Sequence, residues 1–388
     1  MLPVIRYFWR IIMAFTIPQN APFRADIVGS FLRPDKLKNA RNLHRQGLLD
    51  DAGLKQVEDE CITDLISKQI RHGLRVITDG EFRRSWWHLD FMWGLQGVAK
   101  ASRERGYGFV GIDTRAETAV ITGKITGENH PFVEHFKFVK QFESKGYGLV
   151  ARQTIPAPAQ TLATFLNVRN SEFATSWQEH YENEDALIED LGAAYRQVIK
   201  DLYFAGCRSI QFDDCTWSVL CDKELVEKSG IDVDRLAALY LKANNAAIKD
   251  KPDDLAICTH ICRGNYRSHY FSSGAYDRVA NVVFAHENVD AFYLEYDDDR
   301  SGTFEALKFI PQNRKVVLGI ITSKKPELEN INELESRVRE AAKYFPLDNL
   351  CVSTQCGFAS TEEGNELSEA EQWAKIDLVI DLAQKVWG

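Results

Sequence analysis

The run Leu255-Ala256-Ile257-Cys258-Thr259-His260-Ile261-Cys262 decides how the chain is read. Its first part is short, apolar and β-prone, and its end carries an imidazole and a thiol two residues apart. On an extended chain, residues i and i+2 point to the same side, so both groups can reach one point. Seven other stretches have the same form, an apolar or β-branched run that stops at polar residues. They cover residues 26–30, 75–79, 148–155, 209–213, 291–296, 316–321 and 350–354, and the first run makes an eighth at 255–260.

Helical patterns lie between most of these runs. Leu54, Val57, Cys61, Leu65 and Ile66 make one apolar stripe, and Leu187, Leu191, Tyr195, Val198 and Leu202 make another that stops at Gly206, a C-cap position. Ser368 with Glu371 reads as a capping box opening a last helix whose inner face holds Ile376, Val379, Ile380 and Ala383. Strands alternating with helices predict a parallel sheet, and eight repeats predict closure into an α/β (β/α)₈ TIM barrel. Gly29-Ser30, Asp79-Gly80-Glu81, Asp213-Asp214, His260-Ile261-Cys262, Glu295 and Cys356 each sit where a strand runs out. A barrel gathers those ends on one face, where active sites of this architecture lie.

Residues 83–145 break the rhythm. They are rich in Trp, Gly and charge, and the alternating segments 107–113 and 119–125 predict an insertion containing a β-hairpin after strand 2. No repeat or linker divides the chain, so a single barrel domain is expected over 21–388. Residues 1–20 read as an N-terminal extension without fixed order, with Met13 as the natural start; a weak signal peptide or surface helix is the alternative.

The chain has 388 residues, 45% of them apolar, which suffices for a large core. A net charge of −9 argues against nucleic-acid partners, and no apolar run is long enough to span a membrane. Eight cysteines in a chain of this length are too few for a disulfide scaffold and point to a reducing, cytoplasmic setting. Cys258 and Cys351 read as core thiols. His260, Cys262, Glu295 and Cys356 form a zinc-compatible donor set, since zinc takes imidazole, thiolate and carboxylate and prefers four ligands. On spacing alone the alternative, a chance placement of core His and Cys, stays open.

Six motifs in order resemble the catalytic barrel of cobalamin-independent methionine synthase: Ile27-Val28-Gly29-Ser30-Phe31, Thr78-Asp79-Gly80-Glu81, Ile210-Gln211-Phe212-Asp213-Asp214, Thr259-His260-Ile261-Cys262, Glu295 and Cys356-Gly357. The match is to short, single-barrel members of that family. The resemblance implies zinc held by His260, Cys262, Glu295 and Cys356, and homocysteine contacted by Gly29, Ser30, Glu81 and Asp213. It implies methyl transfer to the homocysteine thiol, a reaction that needs a thiolate, whereas a free thiol has a pKa near 8.5.

Two positions depart from the family pattern. The Trp that stacks on the folate ring corresponds to Thr164, after Ile155-Pro156-Ala157-Pro158, and the His acid after strand seven is replaced within Ile321-Thr322-Ser323-Lys324-Lys325. Lys324 is the remaining candidate acid, provided desolvation lowers its pKa. These losses favour a methyl donor that needs no acid, a sulfonium compound or a methylated corrinoid. The opposing expectation is that Trp86, Trp87 or Trp93 rebuilds the stacking wall. Arg33, Lys36, Lys38 and Arg41 read either as contacts for an anionic donor tail or as a solvated helix face. Two other functions stay in view: zinc-thiolate alkyl transfer to coenzyme M, whose sulfonate calls for Arg rather than paired carboxylates, and a zinc-stabilised binding protein without turnover.

Overall fold

The computed structural model describes residues 21–143, 148–166 and 176–388. The expected extension at 1–20 lies outside them. Seven parallel strands form one sheet in the order β1 (Val76–Ile77), β6 (Val150–Pro156), β7 (Ser209–Asp214), β8 (Ala256–Ile261), β9 (Ala291–Glu295), β10 (Lys315–Ile321) and β11 (Leu350–Thr354). Every adjacent pair is parallel, with Asp213 opposite His260 and Glu295 opposite Gly319.

The expected strand at 26–30 is not a regular strand. It makes two isolated parallel bridges, Ala25 to Val352 on β11 and Ser30 to Gly80 just beyond β1, and so spans the gap between the two edge strands. Two residues explain the irregularity. The Asp26 carboxylate accepts hydrogen bonds from the Phe23 and Ile27 backbone N–H groups, and Gly29 adopts φ +124°, outside the β region.

The two faces of the sheet differ. On β9, Phe292 and Leu294 join the large core under the helices, whereas Ala291 and Tyr293 join Cys258, Val317 and Cys351 in a small second cluster on the other face. Asp26 and Arg152 also meet in the interior, 2.8 Å apart and fully buried. Of the covering helices, Glu184–Phe204 starts at Asn183, whose side chain accepts from the Ala186 N–H, and buries Leu187, Leu191, Tyr195, Val198 and Leu202. Helix Glu369–Trp387 opens with the Ser368–Glu371 capping box and buries Ile376, Val379 and Ala383.

Between β1 and β6 the chain forms an antiparallel ladder of β2 (Gln96–Ser102) with β5 (Glu117–Thr126), and inside it a tight pair, β3 (Gly108–Phe109) with β4 (Ile112–Asp113). The segment around 119–125 therefore pairs with 96–102 rather than with 107–113. Strand alternation identifies strands but not partners, and the intervening residues are used for the inner pair. Among the described residues no helix is long and apolar enough to cross a membrane.

Candidate active site

The residues that face the interior along each strand lead directly to the site. Cys258, His260 and Cys262 share one side by period-two alternation, as do Ala291, Tyr293 and Glu295. Each row passes from packed core to polar tip as its strand ends. His260, Cys262, Glu295 and Cys356 are all buried, and one ligand atom from each lies within 4.8 Å of the others. The Sγ atoms of Cys262 and Cys356 are 3.7 Å apart, and both cysteines are free thiols.

This donor set fits a metal ion. Both ring nitrogens of His260 and Oε2 of Glu295 are buried without a hydrogen-bond partner, an arrangement that is costly unless something else is ligated there. Glu295 Oε1 is held by the Arg263 N–H at 2.8 Å, and Cys262 Sγ accepts from the Gly264 N–H at 3.2 Å. The Cys262 thiol is pushed well above its usual range, first by its hydrogen bond to Cys215, with burial acting in the same direction. Cys356 is pushed up by Cys262 and by burial. Lys324 lies behind Glu295, Nζ to Oε2 3.8 Å, with its side chain buried. Burial pulls its pKa down, but Glu295, Asp297 and Cys356 outweigh this and the net shift is upward.

A cavity of about 820 Å³ opens onto these thiols. Ser30, Glu81 and Asp213 line it beside His260, Cys262 and Cys356. Gly29 does not line it; its backbone shapes the bend before Ser30, and a Cβ there would come within 3.1 Å of Thr154 Cγ2. Glu81 is turned inward by two successive left-handed residues, Gly80 at φ +66° and Glu81 at φ +63°. For a non-glycine residue that conformation costs about 1–3 kcal/mol and persists where the surroundings enforce it. Glu81 Oε1 accepts from Arg84 at 3.1 Å and Thr154 Oγ1 at 3.0 Å, while Oε2 is buried and unpartnered. Burial raises the Glu81 carboxyl, and burial together with Glu81 raises Asp213 well above the carboxylate range.

Arg33 and Arg41 are not a solvated face. Arg33 is 3% exposed and donates to the carbonyls of Ala359 and Glu81, while Arg41 donates to Phe82 O. Lys36 and Lys38 are exposed as a solvated face requires. Trp93 lies away from the cavity, whereas Trp86 and Trp87 line it. Cys215, His88, Tyr107, Phe109, Gln160 and Phe271 line it as well, and the sequence reading passed over all of them. For His88 the available signal was its place directly after Trp86-Trp87, and for Cys215 its place directly after Asp213-Asp214.

Residues 23–376 match the family described as the catalytic domain of cobalamin-independent synthase. The chain belongs to the cobalamin-independent methionine synthase family. It is 42% identical over 373 residues to YxjH of Bacillus subtilis strain 168, covering 95% of this chain and 96% of that protein, which is described as uncharacterized. It is 25% identical over 338 residues to a methionine synthase of Saccharolobus solfataricus, covering 85% and 86% of the two chains. Its structure resembles that of a Listeria monocytogenes protein provisionally described as a vitamin-B12-independent methionine synthase, with TM-score 0.75 and 38% identity over 96% of this chain and 100% of that one. A B12-independent methionine synthase of Shewanella shares the fold, TM-score 0.69 at 20% identity, over 94% of this chain and 98% of that one. The curled parallel sheet is thus the TIM-barrel-like methionine synthase fold, and family membership implies methyl transfer to homocysteine.

Proposed function

We propose that this protein is a zinc-dependent S-methyltransferase that converts homocysteine to methionine on a closed (β/α)₈ barrel. The observation that carries the reading is the buried quartet His260, Cys262, Glu295 and Cys356 opening onto the cavity lined by Glu81 and Asp213. Zinc bound by that quartet supplies the Lewis acidity that keeps a substrate thiol deprotonated near neutral pH.

The chain's own groups do the rest. Glu81 and Asp213 are two interacting buried carboxyls whose raised pKa values disfavour holding both charges at once. A substrate ammonium arriving beside them supplies the missing positive charge and releases the proton one of them retains. Asp213 also accepts from Gln211 Nε2 at 2.8 Å, which fixes its orientation. Ser30 lines the same cavity and offers a polar edge for the amino-acid carboxylate. Lys324 is placed to position Glu295 and balance the negative donor set; with its pKa raised, it is a poor acid toward a methyl donor. Coenzyme M, a thiol bearing a sulfonate, would meet two carboxyl groups where it needs a cation. Eight free thiols suit a reducing cytoplasm.

The test is direct. Zinc-loaded protein, homocysteine and a panel of methyl donors are combined and methionine is measured. Methionine formation that disappears on chelation and returns with zinc supports the proposal; zinc-loaded protein that makes none with any donor overturns it.

A further inference from the structure

Half of the cavity wall has no role in the mechanism above. It is aromatic, built by Trp86, Trp87, His88, Tyr107 and Phe109 of the insertion, with Phe271. Trp86 is committed to the protein: it is 2% exposed, its Nε1 donates to Glu117 at 2.6 Å, and Arg115 lies 4.8 Å over its ring. Trp87 differs. Its backbone N–H donates to Ser360 O at 2.9 Å, and the adjacent residue Trp86 bridges Thr361, so the main chain is fixed. Its side chain is only half-buried, and its ring lies 4.6 Å from that of His88 at 37°. A fixed main chain carrying a partly open indole is suited to stacking on a flat ligand.

We propose that Trp87 and His88 form the subsite for the methyl donor, a flat N-methylated heterocycle that Trp87 stacks on and whose departing nitrogen receives a proton from His88. This rests on the homocysteine reading above. Transfer breaks the N–CH₃ bond, leaves its electron pair on nitrogen and forms the S–CH₃ bond. The proton from His88 lets nitrogen leave as a neutral secondary amine, and the proton that homocysteine loses on binding returns the balance through solvent. An unprotonated amine leaves poorly, so an acid is required, and imidazole is the side chain that exchanges protons nearest neutrality. Besides His260 of the ligand quartet, His88 is the one imidazole lining the cavity among the described residues.

Both departures from the family pattern then have one cause. Thr164 is buried in helix Pro158–Phe165 and does not line the cavity, and Lys324 is paired with Glu295. Their duties pass to two adjacent residues of the insertion. The donor expected from the sequence, one that needs no acid, is replaced by one that does. A whole corrinoid also exceeds the drug-sized ligands that a cavity of about 820 Å³ encloses.

The experiment uses full-length protein loaded with zinc, or with cobalt for spectroscopy, and compares 5-methyltetrahydrofolate with S-methylmethionine as donors. Trp87→Ala should raise KM for 5-methyltetrahydrofolate about 10-fold with kcat little changed, and Trp87→Phe should recover most of the loss. His88→Gln should lower kcat with that donor by about 10²–10⁴-fold, reduce its turnover relative to S-methylmethionine, and remove the fall in kcat toward alkaline pH. Metal content and the cobalt spectrum with homocysteine are recorded for every sample. Wild-type protein that uses S-methylmethionine but not the folate, or variants with unchanged KM, kcat and pH profile, overturn the subsite while a homocysteine-dependent cobalt spectrum leaves the acceptor reading standing. A wild-type cobalt spectrum that ignores homocysteine overturns the acceptor reading and this proposal together.

Discussion

Cys262 and Cys356 are 94 residues apart in sequence, yet their sulfur atoms lie 3.7 Å from each other. Cys262 follows β8 and Cys356 follows β11, with β9 and β10 between them in the sheet, so only curvature of the sheet brings the two sulfurs together. The strands have their own packed core, so metal affinity and folding should separate. Wild-type protein is expected to carry one zinc per chain by elemental analysis. Cys262→Ser or Cys356→Ser should lose it while far-UV circular dichroism stays native. A full complement of zinc in either variant would count against the quartet.

Glu81 has one carboxylate oxygen held by Arg84 and Thr154 and the other unpartnered. Glu81→Gln should weaken homocysteine binding by roughly 1.5–3 kcal/mol, the size of a charge-assisted hydrogen bond, with zinc content unchanged. Calorimetry with homocysteine and with a thiol lacking the amino group distinguishes the role. Equal losses for both thiols would remove Glu81 as the ammonium partner.

The Asp26–Arg152 pair is fully buried, and Arg152 also donates to Ile27 O at 2.9 Å. Removing one partner strands the other's charge in the interior. Asp26→Ala should therefore cost about 3–5 kcal/mol in chemical denaturation, whereas Asp26→Leu combined with Arg152→Met should cost less than Asp26→Ala alone. A double variant less stable than the single would refute this account.

His130 is buried, and burial lowers its pKa to about 4. Its Nε2 donates to Phe91 O at 2.9 Å while Nδ1 accepts the Phe132 N–H at 3.2 Å, so a second proton has no place on Nδ1. The unfolded chain takes up that proton near pH 6.5 and the folded chain only near pH 4. Stability from this group is present above pH 6.5 and is lost as pH falls toward 4. Between pH 7.5 and 5.5 the wild type should lose about 1.4 kcal/mol more than His130→Gln in urea titrations. Identical pH slopes for the two proteins would show that His130 titrates alike in both states.

The legible parts of this molecule are those that follow from periodicity. Seven of the eight expected strands form because each is a run of buried β-prone residues, and the ligand quartet follows from the i, i+2 rule applied where those runs end. The run at 26–30 escapes the rule because Asp26 caps its own backbone and Gly29 leaves the β region. Arg33 and Arg41 look solvated in a helical pattern, but they reach back to the carbonyls of Glu81 and Phe82, contacts that no local pattern encodes. The aromatic half of the cavity was illegible for the same reason. Trp87 and His88 arrive there through a bridge between Trp86 and Thr361, residues from opposite ends of the chain.

That bridge has a consequence for how the protein can diversify. Ser85 O accepts from the Glu362 N–H at 3.1 Å and the Trp87 N–H donates to Ser360 O, so the insertion is laced to the segment just after Cys356. Arg115 adds ion pairs to Glu362 and Glu363. A chimera that swaps the insertion between relatives without swapping residues 360–363 loses that lacing. The two segments should behave as a single hereditary module, with the metal-bearing strand end serving as its anchor point.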